Sequence, residues 1–276
     1  MKFSFVILNY NTSNLLRLCL KNIYSLNIPV EFEVIVVDNA SSDNSVKIAK
    51  HQFPQTKLIL SKKNIGHAAG NNLGIKEAKG EYIVILNTDI IIPSAKSIEK
   101  IISYLDNHPR VGLLGPKLLN GDGSVQNSCY RPYKFFTPIY RRTPLGNLKG
   151  AKKDLARHLM LDFDHNETRE VEWILGACMF IRKSVLDKLN GFNESFFLYF
   201  ADYELCDRIR ENDYQIMYFS DSDIIHYHRR ESASRSEWPG LSNVINYTTR
   251  AHIKDWIKYL KINKNKQTNN NNKYVT

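Results

Sequence analysis

A chain of 276 residues, 43% hydrophobic and 24% charged, is long enough to bury a sizeable core and suits one large domain or two small ones. Cys19, Cys129, Cys178 and Cys206 lie far apart with no C-x-x-C spacing, which argues against a disulfide framework or zinc site and for a reducing, cytoplasmic setting. The net charge of +10 is uneven: residues 131–158 and 229–276 carry +7 each, and the remainder carries −4. No helix-turn-helix, zinc-finger or RNA-recognition signature accompanies these stretches, so nucleic acid is not the expected partner. An anionic membrane surface or a phosphate-bearing acceptor suits them better, with a merely solvated face as the alternative.

The opening apolar run is too short for a signal peptide's hydrophobic region and stops at Asn9, so it reads as a strand. Through residue 110, short β-branched runs (FSFVIL, EVIVV, KLIL, EYIVIL) alternate with helix-like spacing at 14–26, 43–51, 67–79 and 94–107, the second helix opened by SSD as a cap. That alternation predicts an α/β fold with a mostly parallel sheet flanked by helices. From 111 to 170 the pattern gives way to turns, basic residues and too many prolines and glycines for regular structure, which predicts a basic, irregular, mobile region. Order returns with VEWILGACMFI as one buried strand, a short helix from Lys183, the turn NGF, a helix from about Asp202 and a strand ending in SDSDII. The expected division is a main domain over 1–240 whose two halves meet at about 110. A helical segment over 241–262 and a disordered polar tail over 263–276 would follow. No window holds the roughly 18–20 apolar residues of a membrane span.

Ligands of such sheets sit beyond the carboxyl ends of the strands. Three points then share one crevice: Asn9, Tyr10 and Asn11 after the first strand, Asp38 after the second, and Asn87–Asp89 after EYIVIL. Asp89 suits a divalent cation beside a diphosphate, or it caps the helix from Ser94. Asp38 suits the N–H of a pyrimidine, or an ordinary strand-to-helix turn. At 100° per residue, Leu205, Cys206 and Ile209 fall within about 60° of Asp202, while Glu204 lies about 200° away. An inward carboxylate at a helix start is either a cap or a base with a perturbed pKa. His226 and His228 fall on one face of the last strand, where one could complete a metal site.

Taken together, VILNYN, VIVVDNASSD, NIGHAAGNNLGI, VILNTD, GPKLLNGDGSVQNSCYRPY, WILGACMFIRKSVLDKLNGFNESFFLYFADYELCDRIR and IIHYH resemble, in order, the GT-A-fold family 2 glycosyltransferases. The likeness is to the branch of rhamnosyltransferases and O-antigen and cell-wall polysaccharide enzymes, and it runs from about residue 3 to 260. It implies that Asp89 binds a cation (Mn2+ or Mg2+) bridging the donor's pyrophosphate and that Asn87, in place of the first Asp of D-x-D, faces the ribose or sugar. His226, or failing it His228, becomes the further metal ligand. Asp38 would bind the base, Asn9, Tyr10 and Asn11 would line the nucleotide pocket, and Asn64 with Gly66 would close over it. His67 stands where an aromatic is common. Asp202 matches the catalytic base, but Ala201 replaces the acidic neighbour usual before it.

The resemblance further implies single-displacement transfer with inversion, from a dTDP- or UDP-linked sugar, dTDP-rhamnose favoured, to a glycan. That glycan could be carried on a polyprenyl diphosphate at the inner membrane face. Of the two halves of the main domain, the one to about 110 would bind nucleotide and the one after it, to 240, the acceptor. Two other classes compete. A catalytically degenerate homologue that binds nucleotide or glycan is suggested by Ala201. A sugar-phosphate nucleotidyltransferase lacks support, because NYNTSNLL has no glycine with which to grip a triphosphate.

Overall fold

The computed structural model describes residues 1–227 and 247–273. Its first half follows the predicted alternation: β1 (Phe3–Asn9), α1 (Ser13–Ser25), β2 (Phe32–Asp38), α2 (Ser45–Gln52), β3 (Lys57–Leu60), α3 (His67–Glu77), β4 (Tyr82–Leu86), β5 (Ile90–Ile91) and α4 (Ala95–Asn107). Regular structure continues where only turns were expected, with β6 (Val111–Leu119), β7 (Val125–Gln126), β8 (Cys129–Tyr130), α5 (Thr137–Arg142), a 3-10 turn at Pro144–Asn147, α6 (Lys149–His158) and β9 (Arg169–Glu170). The prolines that suggested irregularity sit where they are tolerated. Pro138 lies in the first turn of α5 and Pro144 opens the 3-10 turn, positions where a missing N–H is no loss. Gly115 lies inside β6 because a Cβ there would come 2.3 Å from Ile174 Cγ2.

VEWILGACMFI is likewise not one strand. It forms β10 (Trp173–Ile174) and β11 (Cys178–Arg182), separated by a break at Leu175–Ala177. Then come α7 (Lys183–Leu189), α8 (Ala201–Glu211), β12 (Gln215–His226) and a C-terminal helix, Tyr247–Lys273. That helix runs past 263, where a disordered tail was expected, because no proline or glycine after Tyr247 interrupts it. His228 lies outside the described residues.

The main sheet runs in the order β3, β2, β1, β4, β11, β6, β12, β5, with β7 on β6 and β9 on β12. Pairings of β1 with β2 and β4, of β2 with β3, and of β6 with β12 are parallel; β11 is antiparallel to both of its neighbours. Side-chain alternation splits each central strand between two cores. Val6, Ile35, Val37, Ile83 and Ile85 face one, with Ile75 of α3 and Ile209 of α8. Phe5, Ile7, Val34, Val36 and Val84 face the other, with Leu20 of α1 and Ile101 of α4. Helices thus cover both faces, as parallel pairing requires. Strand order reverses between β1 and β4, which opens a crevice at their carboxyl ends.

The C-terminal helix is part of this body. Trp256 and Tyr259, three residues apart on one face, are buried in the α8-side core. Buried Asp255 accepts hydrogen bonds from the Leu198 and Tyr199 N–H groups, 3.4 and 3.0 Å, and the Tyr259 hydroxyl donates to Asp207.

Candidate active site

Asn9 and Asp38 end neighbouring strands in register, so their side chains meet beyond the sheet edge. Asn9 Nδ2 donates to Asp38 Oδ2 at 2.8 Å, and the Ser41 N–H donates to Oδ1 at 2.9 Å. Asn9 Oδ1 accepts from Thr12 Oγ1 at 2.7 Å, which lies 3.1 Å from Thr88 Oγ1. One polar chain therefore spans the crevice from Asp38 to the NTD turn. Asn11, in the left-handed region at φ 53°, accepts from the Ser42 N–H, while Tyr10 is 48% exposed at the crevice mouth. Asp43 of the SSD segment accepts from the N–H groups of both Ser13 and Ser45, so it serves the starts of α1 and α2 together; these bonds hold its carboxyl below the usual range.

The loop holding Asn64 and Gly66 is fixed by Asn39, whose amide accepts from the Ile65 N–H and donates to Asn64 Oδ1 and the Gly66 carbonyl. Asn72 hooks the NGF turn, donating to the Phe192 carbonyl and accepting from its N–H, each at 2.8 Å. No spacing rule pointed to Asn39 or Asn72. Their partners lie 25–27 and 120–122 residues away.

Asp89 and His226 meet because β5 pairs with the end of β12, with His226 opposite Ile90, and the Tyr227 N–H donates to the Asp89 carbonyl at 2.9 Å. His226 Nε2 lies 3.3 Å from Asp89 Oδ1, a buried oxygen that accepts no hydrogen bond among the described residues. His226 Nδ1 donates to Gln126 Oε1 at 2.7 Å, and Gln126 Nε2 donates in turn to Asn120 Oδ1. In the neutral ring this leaves the Nε2 lone pair facing Asp89, an arrangement suited to a cation held by one carboxylate and one imidazole. No group of three or more acidic, histidine or cysteine ligands exists among the described residues, so water or a ligand's oxygens would have to supply the rest of the coordination.

Asp202 lies on the wall of a cavity of about 580 Å3 with His67, Asn87, Tyr133, Trp173 and His226. The break between β10 and β11 serves this carboxylate: the Gly176 N–H donates to Oδ2 at 2.9 Å and the Tyr203 N–H to Oδ1 at 2.8 Å. Burial still pushes the Asp202 carboxyl above its ordinary value and the His67 imidazole below its own, each opposed by the other's charge. The phase argument set Glu204 about 200° from Asp202, on the opposite side of the helix. Glu204 is buried, paired with Arg208 at 2.9 Å, and directed away from the cavity. Just before α8, Phe200 is held at φ 65°, which costs a bulky residue about 1–3 kcal/mol, and it packs on Tyr133, Tyr203, His252 and Tyr259.

The structure thus gathers Asn9, Tyr10, Asn11, Asp38, Asn64 and Gly66 at one end of the crevice, and Asn87, Asp202 and His226 around one cavity, with Asp89 against His226. Gln126, Trp173 and His252 also bear on this region, and the sequence reading gave them no role; Arg141 and Arg142 join them from the basic 131–158 stretch, which was read only as a whole.

The profile of the family described as Glycosyl transferase family 2 matches residues 4–189. An N-acetylglucosaminyl-diphospho-decaprenol L-rhamnosyltransferase of Mycobacterium tuberculosis is 25% identical over 221 residues, covering 73% of this chain and 68% of its own. The low-salt glycan biosynthesis hexosyltransferase Agl10 of Haloferax volcanii is 29% identical over 227 residues, covering 81% of this chain and 66% of its own, so the chain spans some two thirds of these relatives. Among solved structures, Staphylococcus aureus TarS in complex with UDP-GlcNAc overlays with a TM-score of 0.58 at 19% identity, over 86% of this chain and 62% of that one. Mannosyltransferase PcManGT from Pyrobaculum calidifontis, in complex with GDP-Man and Mn2+, gives 0.56 at 20% identity, over 83% of this chain and 58% of that one. At such identities the overlays establish the fold, which is GT-A.

Gly66 provides a test of how the crevice is closed. Its φ of 89° and ψ of −179° are essentially reserved for glycine, and a Cβ there would lie 2.5 Å from the Phe197 carbonyl oxygen. Gly66→Ala is expected to destabilise the fold by about 1–3 kcal/mol and to weaken nucleotide binding, read by urea denaturation and calorimetry. Unchanged values for both would show that the loop relaxes freely.

Proposed function

The chain belongs to glycosyl transferase family 2, and from that premise we propose that it transfers a sugar from a nucleoside-diphosphate donor to a glycan hydroxyl, with inversion, assisted by a divalent cation. The observation that carries this reading is that Asp202 and His226, the latter 3.3 Å from Asp89, line one cavity at the carboxyl ends of the strands. The donor we favour is dTDP-rhamnose, in keeping with the rhamnosyltransferase relative. A UDP-linked sugar is the alternative, in keeping with the TarS complex. The diphospho-decaprenol in the relative's name supports a polyprenyl-diphosphate-linked acceptor.

In this reading Asp38 holds the base, Asn9, Tyr10 and Asn11 line the nucleotide pocket, Asn64 and Gly66 close over it, and Asn87 faces the donor's ribose or sugar. Asp202 takes the proton of the acceptor hydroxyl, whose oxygen bonds to the anomeric carbon from the face opposite the nucleotide. The bond from that carbon to the diphosphate oxygen breaks, and its electron pair leaves with the nucleoside diphosphate. Asp89 and His226 would hold a Mn2+ or Mg2+ ion, which would supply charge neutralisation for that leaving group. The main-chain N–H groups of Gly176 and Tyr203 keep the Asp202 carboxylate oriented before and after proton uptake. A second reading, binding without turnover, is favoured by Ala201, which lines the same cavity without adding a carboxylate.

No helix among the described residues is long and apolar enough to cross a membrane. Phe135, Phe136, Leu145 and Leu148 are nonetheless exposed in the basic stretch that also carries Lys134, Lys149, Lys152 and Lys153. This pairing of apolar and cationic side chains supports peripheral contact with an anionic membrane.

Asp202→Asn is expected to lower transfer by about 10²–10⁴-fold while sparing nucleotide affinity. The base works ionised, and burial raises its pKa above 3.8, so wild-type transfer should fall as pH drops through a midpoint above that value. Transfer near the wild-type rate in the variant would remove Asp202 as the base, and absence of transfer in both proteins with intact nucleotide binding would favour the non-catalytic reading. Asp89→Ala should abolish manganese-dependent binding of UDP or dTDP in calorimetry; unchanged affinity would refute the metal assignment. Flotation with phosphatidylglycerol vesicles should recover the protein at low salt, and its absence from the vesicle fraction would end the membrane reading.

A further inference from the structure

Two cations at the cavity have no part in the reaction just described. Arg141 and Arg142 form the last turn of α5 and line the cavity together with Asp202 and His252. Arg131, Arg157, Arg208 and Arg210 each pair with a carboxylate, to Asp162, Asp154, Glu204 and Asp207. Among the described residues Arg141 and Arg142 make no such pair. Arg141 Nη1 donates to the Tyr133 hydroxyl at 3.0 Å and lies 3.3 Å from His158 Nε2, and its guanidinium sits over the Tyr130 ring at 5.6 Å. Arg142 sits over the Tyr199 ring at 5.4 Å. Arg141 is solvent-exposed where it lines the cavity.

The neighbouring histidines contribute no anion and little charge: burial with the adjacent guanidiniums pushes His158 down to about 4 and His252 to about 3. Two adjacent guanidiniums held by tyrosine hydroxyls and rings, with no carboxylate paired to either among the described residues, are unfavourable until an anion enters. A planar donor fork matches phosphate in particular.

We propose that Arg141 and Arg142 bind a phosphate group carried by the acceptor. This rests on reading the Asp202 cavity as the acceptor site. The phosphate could belong to a lipid carrier or to a phosphate-bearing soluble glycan. Phe135, which is exposed and packs on Trp256 at 5.3 Å, offers an apolar surface in the same segment for a lipid tail.

The test is calorimetric titration of the full chain with inorganic pyrophosphate in EDTA, where the cation-dependent donor site is silent. Wild type and Asp89→Ala should bind alike, whereas Arg142→Gln should weaken binding several-fold and the Arg141→Gln, Arg142→Gln pair by about tenfold or more. Manganese-dependent nucleotide binding should persist in the arginine variants, which shows that they fold. Pyrophosphate affinity unchanged in the double variant, or lost in Asp89→Ala but kept in the arginine variants, would overturn the proposal. If wild type bound no nucleotide, the transferase reading would fail by itself, while the pyrophosphate result would still decide the arginine site. Farnesyl diphosphate binding about tenfold tighter than pyrophosphate, and sensitive to the same substitutions, would identify a lipid carrier. Equal affinity of the two probes would identify the phosphate of a soluble glycan.

Discussion

The short antiparallel pairing of β5 with the end of β12 is the constraint on which the site depends. It joins residues 90–91 to 225–226, and through the Tyr227-to-Asp89 bond it fixes the backbone of the NTD turn. Without it, Asp89 would project from the end of β4 with no imidazole beside it. The pairing is short, but β12 is anchored along β6 over most of its twelve residues, so the edge contact inherits the rigidity of the sheet interior. Asn22 secures the same turn from α1, accepting from the Ile92 N–H at 2.8 Å and donating to its carbonyl at 2.9 Å. Local chain geometry and a contact spanning more than a hundred residues thus converge on one carboxylate.

The first 110 residues were legible because each element there carries its own signal. β-branched runs ending in Asn9, Asp38 and Asn87–Asp89 state both the strand and the group it delivers, and parallel pairing then places those groups at one edge. The second half was less legible because its rules are tertiary. Gly115 and Pro116 inside β6 look like breakers, but they are admitted by the proximity of Ile174 and by an irregular register opposite Phe219. The break at Gly176 looks like a continuous strand and exists to aim an N–H at Asp202. Glu204 shows the limit of helical phase: α8 is buried nearly all round, so a carboxylate opposite the cavity meets more protein. Phase assigns a direction, whereas the partner in that direction belongs to the fold.

That partner, Arg208, donates to the Leu189 and Gly191 carbonyls as well as to Glu204. It closes the end of α7, where Asn190 and Gly191 both take positive φ. Gly191 lies against Asn72, which returns the constraint to α3 and the loop over the crevice. A buried ion pair of this kind adds little net stability, and loss of either partner is costly. Here it determines how α8 enters the site. With Phe200 held in a strained conformation directly before it, the helix start that bears Asp202 is positioned from both sides.

The C-terminal helix brings His252 to the cavity wall and buries Trp256 and Tyr259 in the core shared with α8. Among the described residues it follows β12, the last strand in chain order, so none of the described strands must be rethreaded if that helix is lengthened, rotated or exchanged. The cavity wall at His252 could therefore be revised while the residues at the strand ends stay in place. Change at one wall of the cavity and constancy at the strand ends become separable traits, carried by different stretches of one chain.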